Sequence, residues 1–165
     1  MDNNFVSVIV PCRNEEKYIG KCIDSILDND YSREKLEILV VDGASEDKTA
    51  EIVRRYEKQF LCVKLLSNPK RVTPTALNIG ICAAKGDIIM KMDAHTTYGK
   101  SYISTCVNAL ESSHADNVGG ALMTVPGANS LQAKTIALVL SHPFGVGSSP
   151  FRRKISDGPR EVYTV

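Results

Sequence analysis

The amino-acid sequence predicts an α/β protein with an open, mostly parallel β-sheet and helices on both faces. Short β-branched apolar runs alternate with segments whose apolar residues have helical spacing. The segments between successive runs are long enough for a helical crossover, which is how parallel strands are joined. The length of 165 residues, with 43% hydrophobic residues and a net charge of +1, suits one folded domain and excludes a disordered chain.

The individual elements follow from the same patterns. Apolar runs predict five strands, over residues 5–10, 37–41, 61–66, 87–92 and 117–124. Helical spacing predicts helices over residues 19–27, 49–60, 73–84, 101–112 and 131–140, the third with Thr73 as its cap and Pro74 at its first position. Residues 142–159, rich in Gly, Pro and Ser, predict a mobile loop, and residues 161–165 predict a strand in which the sequence stops. A strand at that position indicates a truncated chain or one part of a longer protein.

Composition excludes several classes of protein. The 20 basic residues are balanced by 19 acidic ones, which argues against nucleic acid as a partner. No stretch approaches the roughly 20 apolar residues that span a bilayer, and the first residues lack the basic region of a signal peptide. The five widely spaced cysteines predict buried free thiols in a reducing compartment. We therefore expect a cytoplasmic protein that meets a membrane only through regions outside this sequence.

Polar side chains crowd the residues that follow four of the predicted strands. The four junctions are residues 11–15, 42–47, 68–71 and 93–95. Ligands of open parallel sheets bind beyond the carboxyl ends of the strands, so these junctions predict the site. Each junction alone has a plainer interpretation: Asn14, Ser45 or Asp47 as a helix cap, Asp42 in a solvated turn, Arg71 as a surface charge. Their shared edge of the sheet favours a common function.

Asp93 and His95 are the strongest candidates for binding a metal. A carboxylate and an imidazole two residues apart, directly after a strand, can both reach one cation. One imidazole among hard oxygen ligands favours Mn²⁺ somewhat over Mg²⁺. The alternatives are a helix cap for Asp93 and a loop histidine for His95. The sequence lacks both the G-x-G-x-x-G dinucleotide fingerprint and the G-x-x-x-x-G-K-[ST] phosphate loop.

At these positions the sequence resembles the inverting family 2 glycosyltransferases, which have the Rossmann-like nucleotide-binding GT-A fold. The matching segments are residues 6–11 (VSVIVP), 14–19 (NEEKYI), 40–49 (VVDGASEDKT), 76–80 (ALNIG) and 84–89 (AKGDII). Residues 71–78 (RVTPTALN) and 92–95 (MDAH) are similar to glycosyltransferases of succinoglycan-type exopolysaccharide synthesis. The resemblance covers roughly the first 95 residues.

The resemblance also implies roles for particular residues. Asp42 would recognise the nucleotide base, and Arg71 would contact the base or its ribose. Pro11, Arg13 and Glu15 would line the nucleoside pocket. Asp93 and His95 would lie at the metal-binding motif, with His95 where many relatives have a second aspartate. Gly43 replaces an acidic residue that is common in the family.

The function implied is transfer of a sugar, with inversion, from a nucleotide-diphosphate donor such as a UDP-sugar to a saccharide or lipid-linked acceptor. The cofactor would be Mn²⁺ or Mg²⁺. Within one domain, residues 1–125 would form the donor half, and residues 126–160 a helix and mobile loop. The family's general base lies in a later acidic motif that neither Asp157 nor Glu161 matches, so the base is expected outside this chain. The alternatives are a sugar nucleotidyltransferase and a non-catalytic nucleotide-sugar-binding module.

Overall fold

Four parallel strands form the centre of the molecule. The computed structural model describes residues 4–121 and 123–146. The strands are β1 (Val6–Cys12), β2 (Leu36–Asp42), β3 (Val63–Ser67) and β4 (Ile88–Lys91), in the spatial order β3-β2-β1-β4. β1 is parallel to both β2 and β4, and β2 is parallel to β3. The predicted parallel sheet is confirmed.

Helices from the first part of the chain cover the two faces of this sheet. The helices of the described residues are α1 (Ile19–Leu27), α2 (Thr49–Gln59), α3 (Thr73–Ala83), α4 (Tyr102–Ser113), α5 (Leu131–Val139) and the single turn α6 (Pro143–Val146). α1, α2 and the first turns of α4 pack on one face, around Val8, Val10 and Ile38. α3 packs on the other face, where Ala76 meets Ile9 and Val41. The prediction of helices on both faces is therefore confirmed.

The apolar runs of β1 and β2 follow from their central position. All seven residues of β2 are buried, and so are all residues of β1 except Pro11. A strand that is covered on both faces needs apolar side chains in both directions, which gives a continuous run instead of an alternation. β1 extends two residues beyond the predicted end, through Pro11 to Cys12.

The strand order reverses direction between β1 and β4. From β1 the chain moves outward to β2 and β3, and α3 then carries it back across the sheet to β4 on the other side of β1. Such a reversal opens a crevice at the carboxyl ends of the strands that flank it. The register places Cys12, Asp42 and Ser67 level with one another, so the first three junctions begin at the same height.

A buried polar network fixes the opposite end of the sheet. The Ser7 hydroxyl donates to Glu37 Oε1 at 2.6 Å, and the Lys85 amide donates to the same oxygen at 2.6 Å. Lys64 Nζ lies 3.7 Å from Glu37 Oε2. The Gly86 amide donates to the Ser7 hydroxyl at 2.8 Å. Because Glu37 is only 3% exposed, these contacts supply the partners that a buried carboxylate needs.

Two predicted strands have different outcomes. The strand predicted over residues 117–124 is wrong, since residues 117–121 and 123–124 form no strand. Gly119 and Gly120 interrupt that apolar run, and glycine in the interior of a strand weakens it. The strand predicted over residues 161–165, and the loop predicted over residues 142–159 beyond Val146, lie outside the described residues.

Helix and strand ends differ from the predictions by a few residues. β3 begins at Val63, because residues 61–62 form a turn in which Leu61 is 99% exposed. α3 has Val72 at its N-cap position, so Thr73 lies inside the helix and does not cap it.

Packing divides the chain into two compact units, Met1–Asn108 and Ala109–Val165, and the boundary falls within α4. Among the described residues, no helix has both the length and the apolar character that crossing a bilayer requires. The single-domain organisation stays a prediction.

Candidate nucleotide-sugar site

A cavity of about 230 Å³ lies at the carboxyl edge of the sheet, where the strand order reverses. Residues from all four predicted junctions line it, together with the start of α3. Its lining residues are Pro11, Cys12, Arg13, Glu15, Gly43, Asn68, Arg71, Val72, Thr73, Ala76, Asp93, Ala94 and His95. Of the predicted site residues, the structure thus brings together Pro11, Arg13, Glu15, Arg71, Asp93 and His95 around one space.

Hydrogen bonds join the β1–α1 and β2–α2 loops, which together form one wall of the cavity. The Asn14 amide donates to Ser45 Oγ at 2.9 Å, and Asn14 Oδ1 accepts from the Glu46 amide at 2.9 Å. Asn14 has a φ of 55°, a left-handed conformation that asparagine tolerates better than most residues. Asn14 therefore joins two loops and does not cap α1, whose N-cap residue is Tyr18. The interpretation of Asn14 as a helix cap is therefore wrong.

A second set of contacts ties the same loops at the start of α2. The Glu16 amide donates to Asp47 Oδ2 at 3.1 Å, and the Thr49 amide donates to Asp47 Oδ1 at 2.9 Å. Burial opposes ionisation of Asp47, but the hydrogen bonds from Thr49 and Glu16 outweigh it and hold the pKa of Asp47 below its usual value. Asp47 thus supports the first turn of α2 from the position before the N-cap residue, which is Lys48, and does not line the cavity.

Asp42 is buried beside the cavity and is not one of its lining residues. Its carboxylate accepts hydrogen bonds from the Ser45 amide at 3.1 Å and from the Ser45 hydroxyl at 2.5 Å. The next residue, Gly43, does line the cavity, and a Cβ there would lie 3.3 Å from both Arg13 Cβ and Cys12 O. The lack of a side chain at Gly43 therefore lets the two loops approach each other closely.

Two arginines supply positive charge at the cavity. Arg13 and Arg71 both pair with Glu46 Oε1, at 3.9 Å and 3.4 Å. Arg71 has a φ of 61°, and its amide donates to Asn68 O at 3.1 Å. All three side chains are more than 40% exposed, so these pairs contribute little to stability and leave the guanidinium groups accessible to an anion.

Asn68 is a cavity residue that the sequence analysis did not select. It is 1% exposed; its amide donates to Asp42 O at 2.8 Å and its Nδ2 donates to Val72 O at 2.9 Å. Its Oδ1 atom is buried without a hydrogen-bond partner among the described residues. A buried acceptor left unpaired costs about 1–3 kcal/mol. Its position directly after β3 was the only signal in the sequence.

Asp93 and His95 follow β4 in a turn. The Thr96 amide donates to Asp93 O at 3.2 Å, and the Asp93 amide donates to the Tyr98 hydroxyl at 2.6 Å. Asp93 Oδ1 lies 2.5 Å from Lys91 Nζ, and His95 Nδ1 lies 3.2 Å from Glu15 Oε1. Both side chains face solvent for about half of their surface or more, 47% for Asp93 and 62% for His95.

The donor atoms present fit a divalent cation that is shared with a phosphate. Among residues 4–121 and 123–146, no group of three or more His, Cys, Asp or Glu side chains is arranged to hold a metal by itself. Mg²⁺ and similar ions in nucleotide sites are commonly held by one or two carboxylates together with substrate phosphates. Asp93 and His95 could supply two such ligands, and a diphosphate in the cavity could supply the others.

The buried thiols near the cavity are not nucleophiles. Burial, with added repulsion from Asp42, raises the pKa of Cys12 to about 12, and burial with repulsion from Asp93 raises that of Cys22 to about 12. A thiol that stays protonated is a poor nucleophile. All five cysteines are free, as predicted, but Cys82 is exposed and Cys62 half-buried, so the prediction that all are buried is wrong. Cys82 lies on α3, whose buried residues are Ala76 and Gly80.

Comparison with known proteins connects this geometry to a family. Residues 7–158 match the model of glycosyl transferase family 2, which is most of the chain. The chain belongs to this family. Its GT-A fold, a parallel sheet with helices, agrees with the structure described above. The resemblance noted in the sequence is thereby confirmed.

The chain is also similar to two curated proteins whose names refer to saccharide transfer or synthesis. A dolichyl N-acetyl-alpha-D-glucosaminyl phosphate 3-beta-D-2,3-diacetamido-2,3-dideoxy-beta-D-glucuronosyltransferase of Methanococcus voltae is 33% identical over 153 residues, 88% of this chain and 47% of that protein. The succinoglycan biosynthesis protein ExoA of Rhizobium meliloti is 31% identical over 147 residues, 88% of this chain and 44% of that protein. The chain thus spans less than half the length of these relatives.

Two solved structures share the fold. The mannosyltransferase PcManGT from Pyrobaculum calidifontis, in complex with GDP-Man and Mn²⁺, has a TM-score of 0.63 and 33% sequence identity, over 74% of this chain and 36% of that chain. Staphylococcus aureus TarS 1–349 in complex with UDP has a TM-score of 0.61 at 23% identity, over 82% of this chain and 44% of that chain. The second similarity concerns the fold alone.

Proposed function

We propose that this chain forms the donor-binding part of an inverting glycosyltransferase, which transfers a sugar from a nucleoside diphosphate, with UDP as the expected nucleotide, to a saccharide or lipid-linked acceptor. One observation carries the proposal: all four strand-end junctions border one cavity, which combines two arginines with Asp93 and His95. Family membership supports the reaction class, and the relatives named for polymer or lipid-linked products support the acceptor class.

Each side of the cavity has a role in this proposal. Asn68 and Arg71 line the side that would receive the base and ribose, with Asp42 buried beside it, and the unpaired Asn68 Oδ1 could accept an N–H of the base. Pro11 would line the nucleoside pocket and Arg13 would neutralise part of the diphosphate charge, whereas the Glu15 carboxylate lies beside His95 in the same lining. Asp93 and His95 would hold Mn²⁺ or Mg²⁺ against the phosphates. Mn²⁺ is favoured because one ligand is an imidazole, and the PcManGT complex contains Mn²⁺.

The chemistry requires a good leaving group and a base. The acceptor hydroxyl oxygen forms a bond to the anomeric carbon while the bond from that carbon to the diphosphate breaks, with the electron pair leaving on the phosphate oxygen. A bound divalent cation supplies charge stabilisation for that leaving group. Arg13 and Arg71 add to this stabilisation from the protein side. The acceptor oxygen would approach the face of the anomeric carbon opposite the leaving group, which gives inversion, and a carboxylate base would take its proton. Asp157 and Glu161, the acidic residues near the end of the chain, lie outside the described residues.

The reaction site is proposed to face a reducing compartment, at the cytoplasmic side of a membrane. The five free cysteines support this placement, since a secreted protein with five cysteines would be expected to form disulfides.

A titration of UDP with and without Mn²⁺ tests the proposal. Calorimetry should show UDP binding that Mn²⁺ strengthens, with GDP as the comparison for the base. In Asp93→Ala the Mn²⁺-dependent increase in UDP affinity should disappear. The melting temperature without metal should stay nearly unchanged, because the side-chain contact of Asp93 within the described residues is an exposed pair with Lys91. Failure of the wild-type chain to bind UDP or GDP would contradict the proposal. Unfolding of Asp93→Ala would identify Asp93 as a structural residue instead.

A further inference from the structure

The contact between Glu15 and His95 joins two junctions that are 80 residues apart in sequence. His95 Nδ1 lies 3.2 Å from Glu15 Oε1. The other ring nitrogen of His95, Nε2, has no hydrogen-bond partner within the described part of the chain. Glu15 borders the same cavity as Asp93 and His95, but its side chain is only 22% exposed against 62% for His95. The contact therefore joins a sheltered carboxylate to an exposed imidazole.

The main chain of Glu15 is held firmly on both sides. Its amide donates to Thr49 Oγ1 at 2.7 Å, and Thr49 is fully buried. Its carbonyl oxygen accepts from the amides of Tyr18 and Ile19, both at 2.9 Å, at the start of α1. None of these contacts uses the carboxylate, whose hydrogen-bond partner within the described part of the chain is His95. The Glu15 backbone is thus a rigid support, and replacing its side chain should leave that support intact.

An exposed imidazole needs such a support to act as a metal ligand. A neutral imidazole carries its proton on one nitrogen only, and a carboxylate that accepts from Nδ1–H leaves the lone pair on Nε2. Histidines that bind metals almost always donate their second ring N–H to a carboxylate, a carbonyl or a water, which fixes both tautomer and ring orientation. An aspartate in place of His95 would have no tautomer to fix.

We propose that Glu15 is a positioning residue for His95: its carboxylate accepts Nδ1–H and presents Nε2 to the cation bound with Asp93. This inference rests on the proposed donor site and extends it. The role differs from direct contact with the nucleoside, which would make Glu15 important for nucleotide binding even without metal. It also differs from simple attraction of the cation by a nearby negative charge.

Mn²⁺ affinity in the presence of saturating UDP separates these roles. Glu15→Ala should weaken Mn²⁺ binding by about 10- to 100-fold, the usual effect of losing such a partner. Glu15→Gln should keep part of the affinity, because its amide oxygen still accepts from Nδ1–H. Glu16→Ala is the matched control, since Glu16 carries the same charge next to Glu15 but its carboxylate accepts from the Lys48 amide. Its Mn²⁺ affinity should be nearly that of the wild type, and UDP binding without metal should be equal in all four proteins.

The His95→Asp background isolates the imidazole. There, Glu15→Ala should no longer weaken Mn²⁺ binding, whereas a purely electrostatic role would cause the same loss in both backgrounds. Nitrogen NMR of the metal-free protein, under alkaline conditions that keep imidazoles neutral, gives a readout independent of metal and activity. The resonances that disappear in His95→Asp should report the Nδ1–H tautomer in the wild type and a shift toward Nε2–H in Glu15→Ala.

The outcomes distinguish this inference from the proposed function. If the wild type binds UDP and Mn²⁺ and Glu15→Ala binds Mn²⁺ equally well, the inference is overturned and the donor site stands. An Nε2–H tautomer in the wild type, an equal loss in the His95→Asp background, or a loss of metal-free UDP binding in Glu15→Ala overturns it as well. If the wild type binds neither UDP nor GDP, the proposed function fails, and the inference with it.

Discussion

The carboxylate of Asp42 combines a structural contact with a proposed binding role. It is 9% exposed and accepts two hydrogen bonds from Ser45, through the amide and the hydroxyl. The main-chain oxygen of Asp42 accepts from the Asn68 amide at 2.8 Å, which links it to the residue with the unpaired Oδ1. A change at Asp42 should therefore affect both the turn after β2 and the base-binding side of the cavity.

We expect Asp42→Ala to lower the free energy of unfolding by about 2–3 kcal/mol, because hydrogen bonds to a charged group contribute about 1.5–3 kcal/mol each and one buried donor, the Ser45 amide, loses its acceptor. Urea denaturation measures this loss. UDP affinity without metal should fall in the same variant at a temperature where it is folded.

Ser45→Ala is the control for the Asp42 variant. It removes the hydroxyl contact but leaves the carboxylate and the amide contact in place. Its loss of stability should be smaller, and its UDP affinity should stay close to that of the wild type. An Asp42→Ala protein that binds UDP with wild-type affinity would remove Asp42 from the binding site.

At the scale of secondary-structure elements, two glycines let neighbouring segments approach the centre of the sheet. A Cβ on Gly80 of α3 would lie 2.5 Å from Ile9 Cγ2, a side-chain atom of β1. A Cβ on Gly86, which precedes β4, would lie 2.6 Å from both Phe5 O and Ser7 N, which are main-chain atoms. A side chain can rotate away from such a contact more easily than a strand backbone can, so Gly86 is the stricter position.

Gly86→Ala should lower the free energy of unfolding by roughly 2–3 kcal/mol, toward the upper end of the cost of overpacking, since the strand backbone would have to shift. It should also weaken the Gly86 amide contact to the Ser7 hydroxyl. Gly99→Ala is the matched control, because a Cβ there would meet nothing within 4 Å. Thermal and urea unfolding of the two variants would check this, and equal stabilities would contradict the close approach at Gly86.

The elements also show what the sequence could predict. The central strands β1 and β2 were predictable because burial on both faces demands a continuous apolar run, and α1 because one buried stripe repeats with helical spacing. Residues 117–121 and 123–124 also include apolar side chains but pair with no strand in the described part of the chain, and pairing is a non-local property. The position of the site could also be predicted from the sequence. The carboxyl ends of parallel strands lie at one edge of the sheet, so the polar residues that follow the strands are brought together there.

The remaining features of the site depend on contacts between distant segments. Asn14 has the sequence context of a helix cap, yet its side chain bonds the Glu46 amide across the cavity wall. The unpaired oxygen of Asn68 can be recognised only when the atoms around it are known. The pairing of Glu15 with His95 likewise requires the reversal of strand order between β1 and β4. The types of residue at the site were thus predictable from the sequence, but the hydrogen-bonded pairs that they form were not.

At the scale of the whole sheet-containing unit, the cavity is lined by several separate segments, because each side of it is formed by a different βα junction. A ligand that fills it would contact the four junctions, residues 11–15, 42–47, 68–71 and 93–95, which otherwise meet mainly through hydrogen bonds between loops. Binding to the folded state alone stabilises it, by about 2.7 kcal/mol at a ligand concentration 100 times the dissociation constant. That stabilisation should be shared by all four segments.

Hydrogen exchange of the amides can measure this coupling. UDP with Mn²⁺ should slow exchange in all four junction segments together, because one bound ligand contacts all four junctions and restrains each of them. The turn at residues 60–62 and the connection at residues 84–87 lie at the opposite edge of the sheet, so their exchange should change only as far as global unfolding contributes to it. Mn²⁺ without UDP should protect residues 93–96 alone or nothing, since the phosphates are needed to complete the coordination of the cation. Protection by UDP and Mn²⁺ that is confined to one junction, or that is strongest at residues 84–87, would show that the four junctions do not bind one ligand.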